Sequence, residues 1–185
     1  MEFREPRVDG RNNDKESRQT YRGTSRGGET VKIKNVEMNN RKKAFEIETE
    51  SKNYTFPYSY ADPEPKINDR IKKVYVDEEI ASEGFTYELE SGGEGTIHIE
   101  QVLDYNKDPD YLQKMWLYKL TVAARARIEE CALSKREISR KLRTSPTQLY
   151  RLLDQTNYNK SIGQMLALLE VLDYEIELVI KKKAI

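Results

Sequence analysis

Apolar and polar positions alternate with a period of two through the middle of the chain, from about residue 31 onward. Phe45 and Ile47 alternate with glutamates, and the same alternation returns in the segment FTYELE. Such alternation is typical of strands with one buried face, and the glycines of the following SGGEG segment suit a tight turn. Ile97 and Ile99 are then expected in a return strand. The pattern predicts five or six mostly antiparallel strands in a small sheet or open barrel of roughly 75 residues.

The apolar period changes to a helical one at the segment Asp108-Pro109-Asp110. Asp108 is a favourable N-cap residue, and Pro109 suits the first position of a helix. We expect a long helix over residues 110–132, with Trp116 as a core anchor between the two domains. The apolar positions that recur at spacings of three and four are Leu112, Met115, Trp116, Leu120, Ala124 and Ile128.

Three further helix starts share one signature, a serine three residues before a glutamate or a glutamine. In this capping box the serine hydroxyl accepts from the third helical amide, and the acidic or amide side chain accepts from the serine amide. The first two starts are close enough for a helix-turn-helix unit. The three pairs are Ser134 with Glu137, Ser145 with Gln148, and Ser161 with Gln164.

These patterns predict an α+β fold class: a small antiparallel β-sheet or open-barrel domain, then an all-α helix-turn-helix domain with a terminal β-strand over residues 174–180. The predicted domains are a flexible tail over 1–30, an acidic β domain over 31–108 and a helix-turn-helix domain over 109–185. The tail has almost no large apolar side chains to offset the entropy of ordering it. An arm that contacts DNA phosphate through Arg18, Arg22 and Arg26 is the alternative for that segment.

The formal net charge is zero, but the charges are unevenly distributed along the chain. Residues 31–109 carry 11 Lys and Arg against 17 Asp and Glu, whereas residues 110–185 carry 14 against 9. The C-terminal part therefore suits a polyanion and the middle part does not, although a solvated surface is the alternative reading.

Composition also limits the class of protein. The single cysteine, Cys131, excludes an internal disulfide and a cysteine-based zinc site. No apolar run approaches the length of a membrane span, and the N-terminus has no secretory signal, so we expect a cytoplasmic protein. The only histidine, His98, has no nearby partner for catalysis and is expected on the polar face. With no phosphate loop or metal motif either, we expect a non-enzyme without a cofactor.

The second helix of the helix-turn-helix unit has two distinct faces. At 100° per residue, its leucines cluster on one side, while Thr147 and Arg151 point away from them and Gln148 and Tyr150 lie on the flanks. Glutamine can pair with adenine and arginine with guanine in the major groove. We therefore predict that Thr147, Gln148, Tyr150 and Arg151 read DNA bases.

Residues 133–172 resemble the phage-repressor-like (Cro/XRE) helix-turn-helix family, through LSKREISRKL followed by the run from Ser145 to Leu152. The tail SIGQMLALLEVLDYEIELVIKKK resembles the C-terminal half of HigA-type antitoxins. The resemblance covers about 50 residues and none of the β domain. Its departures are Lys135 in place of a glutamine, Arg143 in place of the glycine of the turn, and Tyr150 in place of a small residue.

The resemblance implies a sequence-specific DNA-binding transcriptional regulator. It also implies a twofold dimer, whose recognition helices enter successive major grooves and whose 174–180 segments pair at their edges. An antitoxin that represses its own operon is one version, with a toxin or other protein bound at the acidic β domain. The alternative is a protein-interaction scaffold that has lost DNA binding. The residues expected to contact phosphate are Lys135, Arg136, Arg143 and Ser145.

Overall fold

The computed structural model describes residues 30–180; the predicted tail over 1–30 lies almost entirely outside them. Six strands come first in the chain and five helices follow. The predicted α+β class and the antiparallel pairing of the strands are confirmed. Across residues 30–180, none of the helices has the length and apolar character needed to span a bilayer.

The strands form two three-stranded meanders. The first contains β1 (Ile33–Asn39), β2 (Ala44–Thr49) and β3 (Asn53–Pro57), and the second contains β4 (Ile71–Val76), β5 (Gly84–Leu89) and β6 (Glu94–His98). In each sheet, the strand that comes second in the chain lies between the other two, because short hairpins connect consecutive strands. A 3₁₀ turn, Tyr58–Tyr60, follows β3.

The two sheets share one hydrophobic core. The Phe45 ring of β2 lies 4.9 Å from Phe85 and 5.2 Å from Tyr87, both on β5. These three aromatic side chains are fully buried, as their alternating positions predict. The backbone amide of Ile33 also donates to the Ser82 carbonyl at 2.9 Å, which joins the start of β1 to the turn before β5.

The predicted return strand ends one residue earlier than expected. Ile99 is not in a strand but begins helix α1 (Ile99–Tyr105), and the His98 amide donates to Gln101 Oε1 at 3.0 Å across its first turn. Ile99, Val102 and Leu103 are buried against the sheet core. Their spacing of three and four is a helical signal that begins at Ile99, the last residue assigned to the strand. His98 itself is exposed, as predicted.

The helical part begins with α2 (Pro109–Glu130), whose predicted N-cap is confirmed: Asp108 accepts from the Asp110 and Tyr111 amides. The other helices are α3 (Lys135–Lys141), α4 (Pro146–Leu153) and α5 (Ile162–Val171). They enclose a second core, separate from that of the sheets. Its fully or almost fully buried members are Leu117, Ala124, Ile138, Leu149, Leu152, Met165, Leu168, Leu169 and Leu172.

The prediction that Trp116 anchors the core is wrong. Trp116 is 50% exposed, and its neighbour Leu117 is fully buried instead. The apolar stripe identified in the sequence passes through Trp116, and Leu117 lies next to it, about 100° further around the helix, so the spacing alone does not determine which one faces inward. The packing of α2 against α4 and α5 selects Leu117, because Leu117, Thr121 and Ala124 share the inner face.

The prediction of a terminal strand over residues 174–180 is also wrong for a single copy of the chain. The segment has no regular secondary structure, and Leu178 and Ile180 are more than four-fifths exposed. A strand needs a partner for its backbone groups, and within residues 30–180 neither sheet pairs with this segment. Its alternating apolar side chains are therefore left in solvent.

Candidate nucleic-acid interface

Serine caps begin the three C-terminal helices, as predicted. At α3, the Ser134 amide donates to Glu137 Oε2 at 2.8 Å, and at α5 the Ser161 amide donates to Gln164 Oε1 at 3.1 Å, so both capping boxes are complete. At α4 the Gln148 amide donates to Ser145 Oγ at 3.1 Å, but the return bond is absent. Only half of the capping box predicted for Ser145 and Gln148 therefore forms.

Helix α4 is strongly two-sided. Leu149 and Leu152 are buried in the helical core, at 0% and 2% exposure. Thr147, Tyr150 and Arg151 are exposed on the opposite side. The arrangement follows from helical geometry, because residues three apart lie on one face and those between them face away. The half-buried Gln148 is less available than the sequence pattern suggests.

The turn between α3 and α4 is built without glycine. Arg143 has φ of 53°, in the left-handed region, and its amide donates to the Arg140 carbonyl at 3.1 Å. The Thr144 amide donates to the Ser139 carbonyl at 2.9 Å, which completes a Schellman motif. The exposed Arg143 side chain thus sits at the junction of the two helices, at a conformational cost of about 1 kcal/mol or more.

Lys135 links the two helices on the exposed side. Its Nζ lies 5.3 Å from the centroid of the Tyr150 ring, within the range of a cation–π contact. Lys135 and Arg136 are both exposed at the start of α3, as is Ser145 at the start of α4. The structure therefore leaves these predicted phosphate contacts exposed and brings one of them, Lys135, against Tyr150, a predicted base reader.

A buried lysine holds the C-terminal end of α4, and no local sequence pattern predicts it. Lys160 is 5% exposed, and its Nζ donates to Thr121 Oγ1 at 2.6 Å. The same ammonium group donates to the carbonyls of Leu152 and Asp154 at 2.9 and 2.7 Å, so it caps the C-terminal end of α4. Burial lowers the pKa of Lys160 to about 8, against the opposing attraction of the Asp154 carboxylate.

The loop after α4 adds a second restraint. Asn157 Nδ2 donates to the Arg151 carbonyl at 3.1 Å, and Asp154 Oδ1 accepts from the Thr156 amide and hydroxyl at 2.9 and 2.8 Å. The Thr156 side chain and amide together lower the pKa of the Asp154 carboxyl. Together with the Ser145 cap at its first turn, these bonds hold α4 at both ends before any ligand binds, which reduces the entropy lost on binding.

No family model, curated protein or solved structure matches this chain.

Proposed function

We propose that this protein is a sequence-specific DNA-binding transcriptional regulator that uses α4 as its recognition helix. The observation that carries the proposal is the two-sided burial of α4. Its leucines are packed inward, while Thr147, Tyr150 and Arg151 are exposed together on a short helix. An aromatic ring, a hydroxyl and a guanidinium on one rigid face can contact base edges and methyl groups in a major groove.

The surrounding charges support the same proposal. Three basic side chains near α4 are exposed: Lys135 and Arg136 at the start of α3, and Arg143 in the turn before α4. They can bind the phosphates that flank a groove. Ser145 Oγ accepts from the Gln148 amide, but its hydroxyl proton remains able to donate to a phosphate oxygen. These contacts would position α4, whereas the exposed Thr147, Tyr150 and Arg151 would select the sequence, with the half-buried Gln148 in a lesser role.

The proposal includes a homodimer in the cytoplasm. The 174–180 segment is exposed and unpaired in the single chain, and its backbone could pair with the same segment of a second copy. A twofold dimer would place two recognition helices in successive major grooves. An autorepressing antitoxin is one form of this regulator, with the acidic β domain as the surface for a protein partner.

The test is fluorescence anisotropy with the purified full chain and the duplex that lies upstream of its own coding sequence. A scrambled duplex of the same composition and a second salt concentration serve as comparisons, because phosphate contacts make affinity fall steeply with salt. We expect a preference of ~10³-fold or more for the upstream duplex.

Two other outcomes would contradict the proposal. Weak, equal binding to both duplexes would leave a nonspecific basic surface. No binding at low salt would favour the alternative function, a protein-interaction scaffold whose helix-turn-helix unit does not bind DNA.

A further inference from the structure

Two tyrosines form an exposed aromatic pair on the β domain, far along the chain from the helix-turn-helix unit. Tyr60 and Tyr105 are 59% and 39% exposed, and their ring centroids lie 5.0 Å apart in an edge-to-face arrangement. Both rings also contact the buried Phe56, at 6.2 and 5.7 Å between centroids. The pair is thus an exposed extension of the sheet core.

The pair is held in place by the elements that carry it. Tyr60 ends the 3₁₀ turn after β3, and Tyr105 is the last residue of α1. Asn106 Nδ2 donates to the Thr55 carbonyl of β3 at 3.0 Å and to the Val102 carbonyl of α1 at 2.8 Å. This side chain fastens the end of α1 to β3, so the two rings are arranged without a ligand.

An open cavity of about 600 Å³ lies beside Tyr60 and is lined on its other sides by Asp62, Glu64, Lys66 and Asp69, among others. The two carboxylate oxygens of Asp69 already accept hydrogen bonds from the backbone amide and the hydroxyl of Ser91. Asp62 and Glu64 are exposed, and within residues 30–180 neither carboxylate has an ion pair or a hydrogen bond. The cavity therefore combines one aromatic side chain, Tyr60, with a net negative lining, since three carboxylates outnumber the ammonium group of Lys66.

We propose that this cavity binds an arginine side chain from a basic segment of another protein. A planar guanidinium can stack on the Tyr60 ring while its N–H groups donate to the carboxylates of Asp62 and Glu64. The neighbouring Tyr105 ring would pack against the adjoining peptide. A lysine could supply the charge but not the planar fork of donors.

Charge complementarity supports this occupant over an apolar or acidic one. Residues 31–109 carry 11 basic against 17 acidic side chains, so the field around the cavity attracts cations. The inference rests on the proposed role of the acidic β domain as a partner-binding surface. It is independent of DNA binding by α3 and α4, because the cavity contains no residue of either helix.

The test uses the full chain and a fluorescein-labelled octapeptide of alternating arginine and glycine at 150 mM salt. Two matched peptides replace each arginine by citrulline, which keeps the shape and removes the charge, or by lysine. We expect the arginine peptide to bind ~10-fold or more tightly than the citrulline peptide and several-fold more tightly than the lysine peptide. Asp62→Asn combined with Glu64→Gln should weaken arginine-peptide binding ~10-fold or more, and Tyr60→Leu about 5-fold.

The control variant combines Glu78→Gln with Glu79→Gln, which removes the same charge from another exposed turn of the β domain. It should change the affinity less than about 2-fold, as expected for screened distant charges. Equal losses in the two double variants, or equal binding of the arginine and citrulline peptides, would overturn the proposal. Upstream-DNA binding by the Tyr60 and Asp62/Glu64 variants, measured in parallel, should stay unchanged, so this inference and the proposed DNA binding can fail separately.

Discussion

Lys52 Nζ donates to Asp108 Oδ2 at 2.7 Å. This ion pair joins the turn between β2 and β3 to the N-cap residue of α2. The Tyr54 hydroxyl donates to the same oxygen at 3.1 Å, while Asp108 Oδ1 accepts from the amides of Asp110 and Tyr111. Burial alone would raise the pKa of this carboxyl, but the bonds from Lys52, the Tyr111 amide and Tyr54 outweigh it and lower the pKa. One carboxylate thus begins α2 and fastens it to β3.

Two substitutions at Asp108 should separate these roles. Asparagine is also a favourable N-cap, so Asp108→Asn keeps the cap and removes the charge, whereas Asp108→Ala removes both. We expect the free energy of unfolding to fall by about 1 kcal/mol for Asp108→Asn and by about 2 kcal/mol for Asp108→Ala, measured by urea denaturation. Equal losses for the two variants would show that the cap contributes nothing. Lys52→Met should have a smaller effect in the Asp108→Asn background than in the wild type, because only the exposed Asp110 carboxylate, 3.6 Å from Lys52 Nζ, then remains as its partner.

The buried Lys160 should make stability depend on pH in the alkaline range. Its pKa is about 8 in the folded chain against an ordinary value of 10.5, so between these values the unfolded chain binds a proton that the folded chain has released. The free energy of unfolding therefore rises with pH across this window, by up to about 3 kcal/mol. This gain is specific to Lys160, because every other titratable group is the same in the wild type and in a variant that lacks only this lysine.

The measurement is urea denaturation of wild type and Lys160→Met at several values from pH 7 to 10.5. The wild type should gain stability relative to the variant as pH rises. Parallel curves would contradict the pKa shift. A wild-type curve that falls relative to the variant would mean that the carbonyls of Leu152 and Asp154 stabilise the ammonium more than burial destabilises it.

Arg143→Gly should raise stability while it weakens DNA binding. Glycine adopts the left-handed conformation of this turn without the cost that arginine bears, so we expect a gain of about 0.5–1 kcal/mol in unfolding free energy. The loss of one phosphate contact should weaken all duplexes alike. Asp173→Gly is the matched control, because Asp173 has φ of 58° in the same motif after α5. It should be stabilised to a similar extent with unchanged DNA affinity; an unchanged affinity for Arg143→Gly would remove Arg143 from the interface.

Arg151→Ala and Lys135→Ala should differ in what they do to specificity. We expect Arg151→Ala to weaken binding to the upstream duplex by ~1–3 kcal/mol and the scrambled duplex much less. Lys135→Ala should weaken both duplexes alike and reduce the salt dependence by about one phosphate contact. Lys72→Ala, an exposed lysine of β4, is the charge control and should change neither.

The same anisotropy assay decides between these roles. Equal losses on both duplexes for Arg151→Ala would remove it from the base-reading set. A specificity loss for Lys135→Ala would instead indicate that its contact with the Tyr150 ring positions a base reader.

Much of the fold could be predicted because its signals are local. A capping box needs only a serine and a glutamate or glutamine three residues apart, and two of the three predicted boxes are complete. Asp108 is followed by proline, and it caps α2 as expected. The alternation of Phe45, Ile47 and Thr49 matches their burial on one face of β2. In each case the physical cause lies within a few residues of the signal.

Other features depend on groups that are distant in sequence. The stripe of α2 allows Trp116 or Leu117 to face inward, and only the position of α4 and α5 decides between them. The 174–180 segment has the alternation of a strand, but a strand forms only where another backbone supplies hydrogen bonds. The burial of the Lys160 ammonium could not be predicted from the sequence either, because its three acceptors belong to α2 and to the end of α4.

Local sequence signals establish the α+β class, the antiparallel strands, the starts of α2 to α5 and the two faces of α4, because periodicity and capping are properties of short segments. Only the packing of the folded chain determines which aromatic side chains stay exposed, that Lys52 pairs with Asp108, and that the Tyr60 ring lies against Tyr105. Those outcomes depend on which distant surfaces meet, since burial and ion pairing belong to a pair of segments and not to either one.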